Sequence, residues 1–385
     1  MEQVDNQKCI DKICTDDDRK REELFLRELW RECFDDPKTY EDFYFTRVYG
    51  KNTVYAIKGI GMIHLNPYIC KICGREKKLH YIVGVGTHFS QRRKGIMRQL
   101  LRRAFMDMYE NREPFTYLMP ADVRYYEPFG FSSISERTEI TLERDRKQPD
   151  RLASGEEGMG KQDILYMEYK KLQNILNPKE QKQLYDKIDY LLEIKYHVFA
   201  KHDADYFELL AEEKTCQNGD VVFCFEGYFD IDNLLGFFAY SMEEAETYIE
   251  QNVFDDNIFS EQIYAVISRY IQTADRIRVI ERFPFMVRII DVLECIKLYP
   301  ESFYSYALEK KRIQILDDEI FENNGIYSFY LKENQVFVQK RLILNPDKTA
   351  DRGCEEWDIR MTIAELTDRL FGDLEKDRIF FAEIV

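Results

Sequence analysis

No stretch of this 385-residue chain approaches the roughly 18–20 uninterrupted apolar residues that a membrane-spanning helix needs. Its first residues, MEQVDNQKCIDKICTDDDRKREE, lack the basic, then apolar, then small-residue order of a secretory signal, so a cytoplasmic protein is expected. Cysteine is scattered and odd in number, nine residues in all, which argues against a disulfide framework. The one close pair, Cys70 and Cys73, has no second C-x-x-C beside it and only His64 and His80 nearby. No metal is therefore expected, and the pair reads as two free thiols in a hairpin connection. Positive charge is in deficit: 55 basic residues face 71 acidic ones, a net charge of −16. That balance disfavours nucleic acid as a partner. It suits cationic small molecules or basic protein tails, or it serves solubility alone. Also missing are G-x-x-x-x-G-K-S/T and a G-x-G-x-x-G followed by an acidic residue, which disfavours a nucleotide triphosphatase and a dinucleotide oxidoreductase.

What is present is the balance of a globular protein, 45% hydrophobic and 33% charged. The length predicts two or three domains of about 100–150 residues. Residues 19–34 place Leu24, Leu26, Leu29, Trp30 and Phe34 near one helical stripe, and a second short helix is expected at 40–49. Strand-like runs follow at 53–60, 62–69 and 79–88, a helix at 96–110, a strand at 115–120 and one or two more within 131–143. This order predicts an α/β or α+β layer domain. The polar, Gly-containing stretch 146–163 marks a boundary. Beyond it, 164–214 reads as mostly helical, with strands in GDVVFCFEGYFD and LLGFFAYSM and a helix near 258–273. A third unit is expected from about FPFMVRIIDVLECI at 283–296, with strands near 325–332 and 334–344 and a last helix at 362–372.

The informative segment is VGVGTHFSQRRKGIM at 83–97, in which a strand leads through a basic turn into a helix. A helix N-terminus offers unpaired N–H groups and a positive dipole end. Gly95 lets the backbone approach a ligand, and Arg92, Arg93 and Lys94 add charge where phosphate oxygens would lie. A pyrophosphate fits such a turn. An ordinary strand-to-helix connection with a solvated basic start fits it equally well.

RRKGIM after a strand resembles the acetyl-CoA loop of GNAT acetyltransferases, R/Q-x-x-G-x-G/A. IHLNPY at 63–68, LHYIVGVGTH, QRRKGIMRQLL and YYEPFGF at 125–131 together resemble the Eis-type (enhanced intracellular survival) acetyltransferases of bacteria. FPFMVRIIDV is similar to the linker into that family's third domain, and IAELTDRLFG with FFAEIV is similar to its sterol-carrier-like C-terminus. The resemblance implies a catalytic GNAT domain over 1–148, a second GNAT-like domain without a cofactor loop over 149–284, and a sterol-carrier-protein-like domain over 285–385. It implies an N-acetyltransferase using acetyl-CoA on a primary amine: an aminoglycoside-like polyamine, a small cationic amine or a protein lysine. A homo-oligomer is implied as well.

Carried over by position, the cofactor strand falls on Val85, Gly86 and Thr87, and the pyrophosphate loop on Arg92, Arg93, Lys94, Gly95, Ile96 and Met97. Met97 stands where GNAT proteins have Gly or Ala; its backbone N–H survives that departure. Ala121 and Asp122 fall at the second cofactor contact. The family's tyrosine acid falls on Tyr126, beside Tyr125, and its base, the terminal carboxylate, on Val385. A phenol of pKa about 10 can protonate a departing thiolate whose thiol has pKa about 8.5, through a positioned hydrogen bond. An α-carboxyl near 3.5 acts as a base only when desolvated, relayed through water, or offered an amine already partly neutral. The apolar ending FFAEIV suggests a tail that docks. The alternative reading is a non-catalytic protein whose sterol-carrier-like region binds an apolar ligand or a partner.

Overall fold

The structure, a computed structural model, describes residues 9–143, 167–243, 246–255, 257–258, 260–271, 276–298, 311–332, 335–341, 357–373 and 378–381. The boundary stretch at 146–163 and the C-terminal Val385 lie outside them. The chain divides into two compact units, one built from residues 1–135 and 284–379, the other from 136–283 with 380–384.

The first unit opens with β1 (Asp11–Ile13) and α1 (Asp16–Cys33). Thr15 caps α1, its hydroxyl accepting from the Asp18 N–H at 3.2 Å, and Asp16, Asp17 and Asp18 complement the dipole in the first turn. Leu26, Leu29 and Trp30 form its buried stripe. The expected second helix is α only over α2 (Lys38–Phe43); the chain then widens into a π-turn at Tyr44–Val48 and tightens to a 3-10 turn at Tyr49–Lys51. Strands β2 (Thr53–Ile57), β3 (Gly61–Ile72) and β4 (Arg75–Thr87) form an antiparallel meander, with Cys73 and Gly74 at the β3–β4 turn, both at positive φ. Helix α3 (Ile96–Glu110) buries Ile96, Leu100, Leu101, Ala104, Phe105 and Met108, a spacing that gives one continuous apolar face. It leads to β5 (Phe115–Leu118), which lies parallel to β4, and then to β6 (Ser132–Ser133).

The second unit has strands β7 (Thr138–Glu143), β8 (Met167–Lys171), β9 (Val198–Ala200), β10 (Asp220–Glu226), β11 (Leu234–Glu243), β12 (Glu246–Phe254) and β13 (Arg276–Arg282), with helices α4 (Pro178–Lys195), α5 (Ala204–Cys216) and α6 (Ser260–Tyr270). The stretch read as mostly helical thus contains β8 and β9 as well. Six strands form one sheet in the order β7-β13-β12-β11-β10-β8. Its plan repeats that of the first unit. Antiparallel strands lead into a bulged strand, β12, whose register shifts opposite Ala239 and Tyr240; a helix follows, and then a parallel neighbour, β13. Val222, Phe238, Ile249, Ile267 and Val279 are among the side chains of its core.

The chain then returns to the first unit. The run similar to a linker is in fact β14 (Met286–Ile289), which lies between β5 and β6 and pairs antiparallel with both, Val287 opposite Tyr117 and Ser132. Its residues are all buried, so this run forms part of the core rather than a connection. In this unit the sheet order is β1-β2-β3-β4-β5-β14-β6. After α7 (Val292–Leu298), strands β15 (Arg312–Leu316), β16 (Gly325–Lys332), β17 (Gln335–Arg341) and β18 (Ile359–Thr362) form a smaller sheet, β17-β16-β15-β18, and α8 (Ile363–Asp373) follows. Phe371 of α8 packs edge-on against Phe115 at 5.0 Å, and the Ser132 hydroxyl donates to the Ala364 carbonyl at 2.8 Å. The fold is mixed α+β, with three sheets among the described residues.

Candidate active site

Strands β4 and β5 share one parallel pair, Tyr81 with Tyr117. From Ile82 to Thr87, β4 runs on with its ladder only on the β3 side. The β3–β4 register slips between Met62 and His64, which places a bulge at Gly84 and Val85. Val85, Gly86 and Thr87 therefore lie along an edge whose far side carries no strand among the described residues, which leaves room for an extended guest to pair there. Cys33, at the end of α1, reaches the same edge, its thiol 3.8 Å from the Thr87 carbonyl. Glu32 accepts from the Phe89 N–H at 2.6 Å. In the turn after α1, the Trp30 indole donates to Asp36 at 2.9 Å, and burial raises the Asp36 carboxyl above its ordinary pKa.

The basic turn that follows is held by its own side chains. The Arg92 guanidinium donates to the Thr87 carbonyl at 3.1 Å and the Lys94 ammonium to the Ser90 carbonyl at 2.8 Å. Arg93 is exposed, with no partner among the described residues. Gly95 sits at the N-cap of α3 with φ +75°, and no side chain caps the helix. The N–H groups of Gly95, Ile96 and Met97 thus have no intrahelical acceptor. A Cβ at Gly95 would meet nothing within 4 Å. The turn accordingly offers amides, open space and one uncommitted guanidinium. That set suits the pyrophosphate of a coenzyme, and the free edge of β4 suits an amide-bearing arm.

Ala121 and Asp122 follow β5. Ala121 is exposed, and the Asp122 carboxylate caps its own turn, accepting from the Arg124 N–H at 2.9 Å and pairing with the Arg124 guanidinium, which depresses its pKa. The next turn separates the two tyrosines. Tyr125 is 59% exposed, while Tyr126 is 8% exposed, its ring edge-on to Phe131 at 5.8 Å. The Tyr126 hydroxyl has no hydrogen-bond partner among the described residues, and burial alone pushes its pKa up to about 12. Phe131 packs on Phe105 of α3 at 6.0 Å, and the Arg98 guanidinium lies 5.1 Å above the Phe129 ring. The turn carrying Tyr126 is thereby packed against the helix that opens at Gly95. Val385 falls outside the described residues.

Residues 19–134 match the family described as an acetyltransferase (GNAT) domain. These residues are a GNAT acetyltransferase domain. The chain is an acetyltransferase, and acetyl-CoA is the co-substrate that GNAT acetyltransferases use. The match covers α1 to β6 and stops short of β14, the strand that completes the GNAT sheet. Solved structures share the fold across nearly the whole chain. A protein from Enterococcus faecalis described as a "Probable N-Acyltransferase" is 12% identical, with a TM-score of 0.69 over 93% of this chain and 88% of that one. A GCN5-related N-acetyltransferase from Anabaena variabilis is 15% identical, with a TM-score of 0.66 over 97% and 98%. Eis1 from Mycobacterium abscessus is 12% identical, with a TM-score of 0.59 over 94% and 90%. No curated protein matches the chain in sequence.

The sequence reading passed over Arg98, Arg288, Asp317 and Glu319, all close to this site. One signal was available. Arg288 is a lone charge inside the apolar run FPFMVRII, and a charge so placed demands a buried partner. Among the described residues no group of three His, Cys, Asp or Glu side chains is arranged to hold a metal ion, and no helix is long and apolar enough to cross a membrane.

Proposed function

We propose that this protein is an Eis-type N-acetyltransferase that transfers the acetyl group of acetyl-CoA to a primary amine on a cationic acceptor. The observation that carries the reading is the uncapped opening of α3 at Gly95, beside the half-paired edge of β4 and packed against the Tyr126 turn. When bound, acetyl-CoA supplies the acetyl group as a thioester. The amides of Gly95, Ile96 and Met97, with Arg93, hold its pyrophosphate; Arg92 and Lys94 stiffen the turn and add to its field. Val85, Gly86 and Thr87 pair with its pantetheine arm. Ala121 flanks the arm by its backbone, and Asp122 shapes the turn between β5 and Tyr126.

Tyr126 acts as a neutral donor. With a pKa near 12 the phenol stays protonated at any physiological pH, so its proton is always available. It is also a weaker acid than a thiol of pKa about 8.5. Tyr126 therefore stabilises charge on sulfur through a hydrogen bond, and full proton transfer takes place only as the departing group is rehydrated. The terminal carboxylate of Val385 is the proposed base for the amine. The acidic turn of Asp35 and Asp36 supports a cationic acceptor, as does the net charge of −16.

The repeated sheet plan supports a second GNAT-like domain within 149–284. There the segment between β12 and α6 reads DDNIF, acidic where the first unit has QRRKG, which supports the absence of a second cofactor loop. The sterol-carrier-like assignment of 285–385, the cytoplasmic location and assembly into a homo-oligomer belong to the same proposal.

Calorimetric titration with acetyl-CoA tests the reading first, and absence of binding at high micromolar concentration rejects it. Thiol release with a panel of polyamines, small amines and a lysine peptide then identifies the acceptor class. In that assay Tyr126→Phe lowers turnover by about a hundredfold or more, as loss of a hydrogen-bond donor to developing charge does, while coenzyme A affinity stays within about twofold. Tyr125→Phe stays near wild type, and a chain shortened by three residues loses turnover without unfolding. Full activity in Tyr126→Phe or in the shortened chain removes that group from the mechanism.

A further inference from the structure

The two halves of the proposed site, the helix that opens at Gly95 and the turn that carries Tyr126, are both braced by one short segment, Asp317 to Glu319, from the far end of the sequence. Glu319 is buried and faces α3. Its carboxylate lies 2.9 Å from the Arg98 guanidinium and also accepts from Arg102, whose second nitrogen donates to the Asp318 carbonyl at 3.2 Å. Asp317, two residues earlier, faces the other half. It pairs with Arg288 of β14 at 2.6 Å, both side chains fully buried. Arg288 in turn donates to the Phe129 carbonyl at 2.6 Å and to the Ile289 carbonyl at 2.7 Å. Asp317 is fixed by the N–H groups of Glu319 and Ile320 and by the Asn323 amide. The segment thus has little freedom to follow either half independently.

Arg98 closes the circuit on the open side. It occupies the first turn of α3, one residue beyond Met97, and its guanidinium both meets Glu319 and covers the Phe129 ring. We infer that Arg98 is a positioning residue that keys the Tyr126 turn to the cofactor helix, with Arg288 as its buried counterpart on the Phe129 carbonyl and the Asp317–Glu319 segment as their common anchor. The inference rests on the proposed role of Tyr126. It assigns the region after residue 311 a part in acetyl transfer that needs no ligand of its own. A guanidinium suits the position because it can lie over a ring and stand beside a carboxylate at once; an ammonium does the two less well together. With its charge committed to Glu319, Arg98 acts on the pyrophosphate through its backbone N–H rather than its side chain.

The test is a double-mutant cycle between Arg98→Met and Tyr126→Phe. It is read as turnover of acetyl-CoA with the best amine of the panel, as acetyl-CoA hydrolysis without amine, and as coenzyme A affinity by calorimetry. Arg98 is half exposed, so the variant is expected to fold. Arg98→Met alone should lower turnover about tenfold and leave coenzyme A affinity within about twofold. In the Tyr126→Phe background it should cost less than twofold, because the group it positions is already gone. Arg98→Lys should recover part of the loss, and Glu319→Gln should resemble Arg98→Met. Equal losses in both backgrounds overturn the inference, as does a loss confined to coenzyme A affinity, which would make the side chain a phosphate ligand. A lowered melting temperature with turnover per folded molecule unchanged also overturns it, leaving the contact a structural brace. If Tyr126→Phe itself is fully active, the role of Tyr126 is at fault; if Tyr126→Phe is impaired and Arg98→Met is not, only the positioning role fails.

Discussion

Gly95 and Gly130 both sit at left-handed φ, +75° and +81°, yet alanine at the two positions should have opposite consequences. At Gly130 a Cβ would stand 2.5 Å from Ile363 Cγ2 of α8, in the turn whose Phe129 carbonyl is held by Arg288. The left-handed conformation costs a non-glycine residue about 1–2 kcal/mol, and overpacking a fixed neighbour adds about 1–3 kcal/mol. Gly130→Ala should therefore destabilise the first unit by about 3 kcal/mol. At Gly95 a Cβ meets nothing within 4 Å, so only the conformational cost, about 1 kcal/mol, applies. Both tryptophans, Trp30 and Trp357, belong to the first unit, so their fluorescence during urea unfolding follows that unit. The Gly130→Ala midpoint should fall well below that of Gly95→Ala. Coenzyme A affinity should rank the other way, because the added methyl of Gly95→Ala projects into the space left for the pyrophosphate. A Gly130→Ala protein within about 0.5 kcal/mol of wild type would mean that α8 does not press on the turn. A Gly95→Ala protein that binds coenzyme A normally would mean that the guest does not sit at the opening of α3.

Two further outcomes follow from particular side chains. Arg93→Ala should weaken coenzyme A binding severalfold and flatten its dependence on salt without changing the unfolding midpoint, since Arg93 has no partner among the described residues to lose. Arg92→Ala should lower both affinity and stability, because it also removes the bond to the Thr87 carbonyl; equal behaviour of the two variants would refute this division. His64 is fully buried behind the β4 bulge, bonded to the Tyr44 hydroxyl at 3.1 Å, and burial lowers its pKa to about 3. Its folded pKa lies below the unfolded value of about 6.5, so the unfolded chain binds the extra proton and stability falls as pH drops from 6.5 toward 3. The loss approaches about 1.4 kcal/mol per pH unit, or roughly 2 kcal/mol by pH 5. Urea unfolding at pH 7 and pH 5 should show that slope in wild type and a shallower one in His64→Gln; identical slopes would place the acid sensitivity elsewhere.

How much of this was legible depends on the range of the forces involved. Helix α3 could be read from Ile96, Leu100, Ala104 and Phe105, because a helix advertises its buried face within its own span. The opening at Gly95 was legible for the same reason: a glycine after Arg-Arg-Lys, between a strand and a helix, is a local statement about backbone and charge. The bulge opposite Ile63 was not, since register belongs to two strands at once. Strand β14 was misread because MVRI carries a charge where a buried strand usually has none. The charge is tolerated only because Asp317, twenty-nine residues later, neutralises it. The same limit hid Arg98, which looks like one more basic residue on a solvated helix until Glu319 arrives from more than two hundred residues away.

Those long-range pairs also reach beyond the residues that the GNAT match covers. Residues 19–134 carry the cofactor loop and the Tyr126 turn, but they form an incomplete sheet: β5 and β6 do not pair with each other, and β14 fills the gap between them. An excised 1–135 fragment would expose the β5 edge and leave the Phe129 carbonyl without Arg288, while Arg98 and Arg102 would lose their shared carboxylate. Breaking the buried Arg288–Asp317 pair by removing one partner costs about 3–5 kcal/mol, a large fraction of the 5–15 kcal/mol that holds a typical domain together. The acetyltransferase unit is therefore discontinuous in sequence, and the return of the chain at Met286 completes its fold as well as its site.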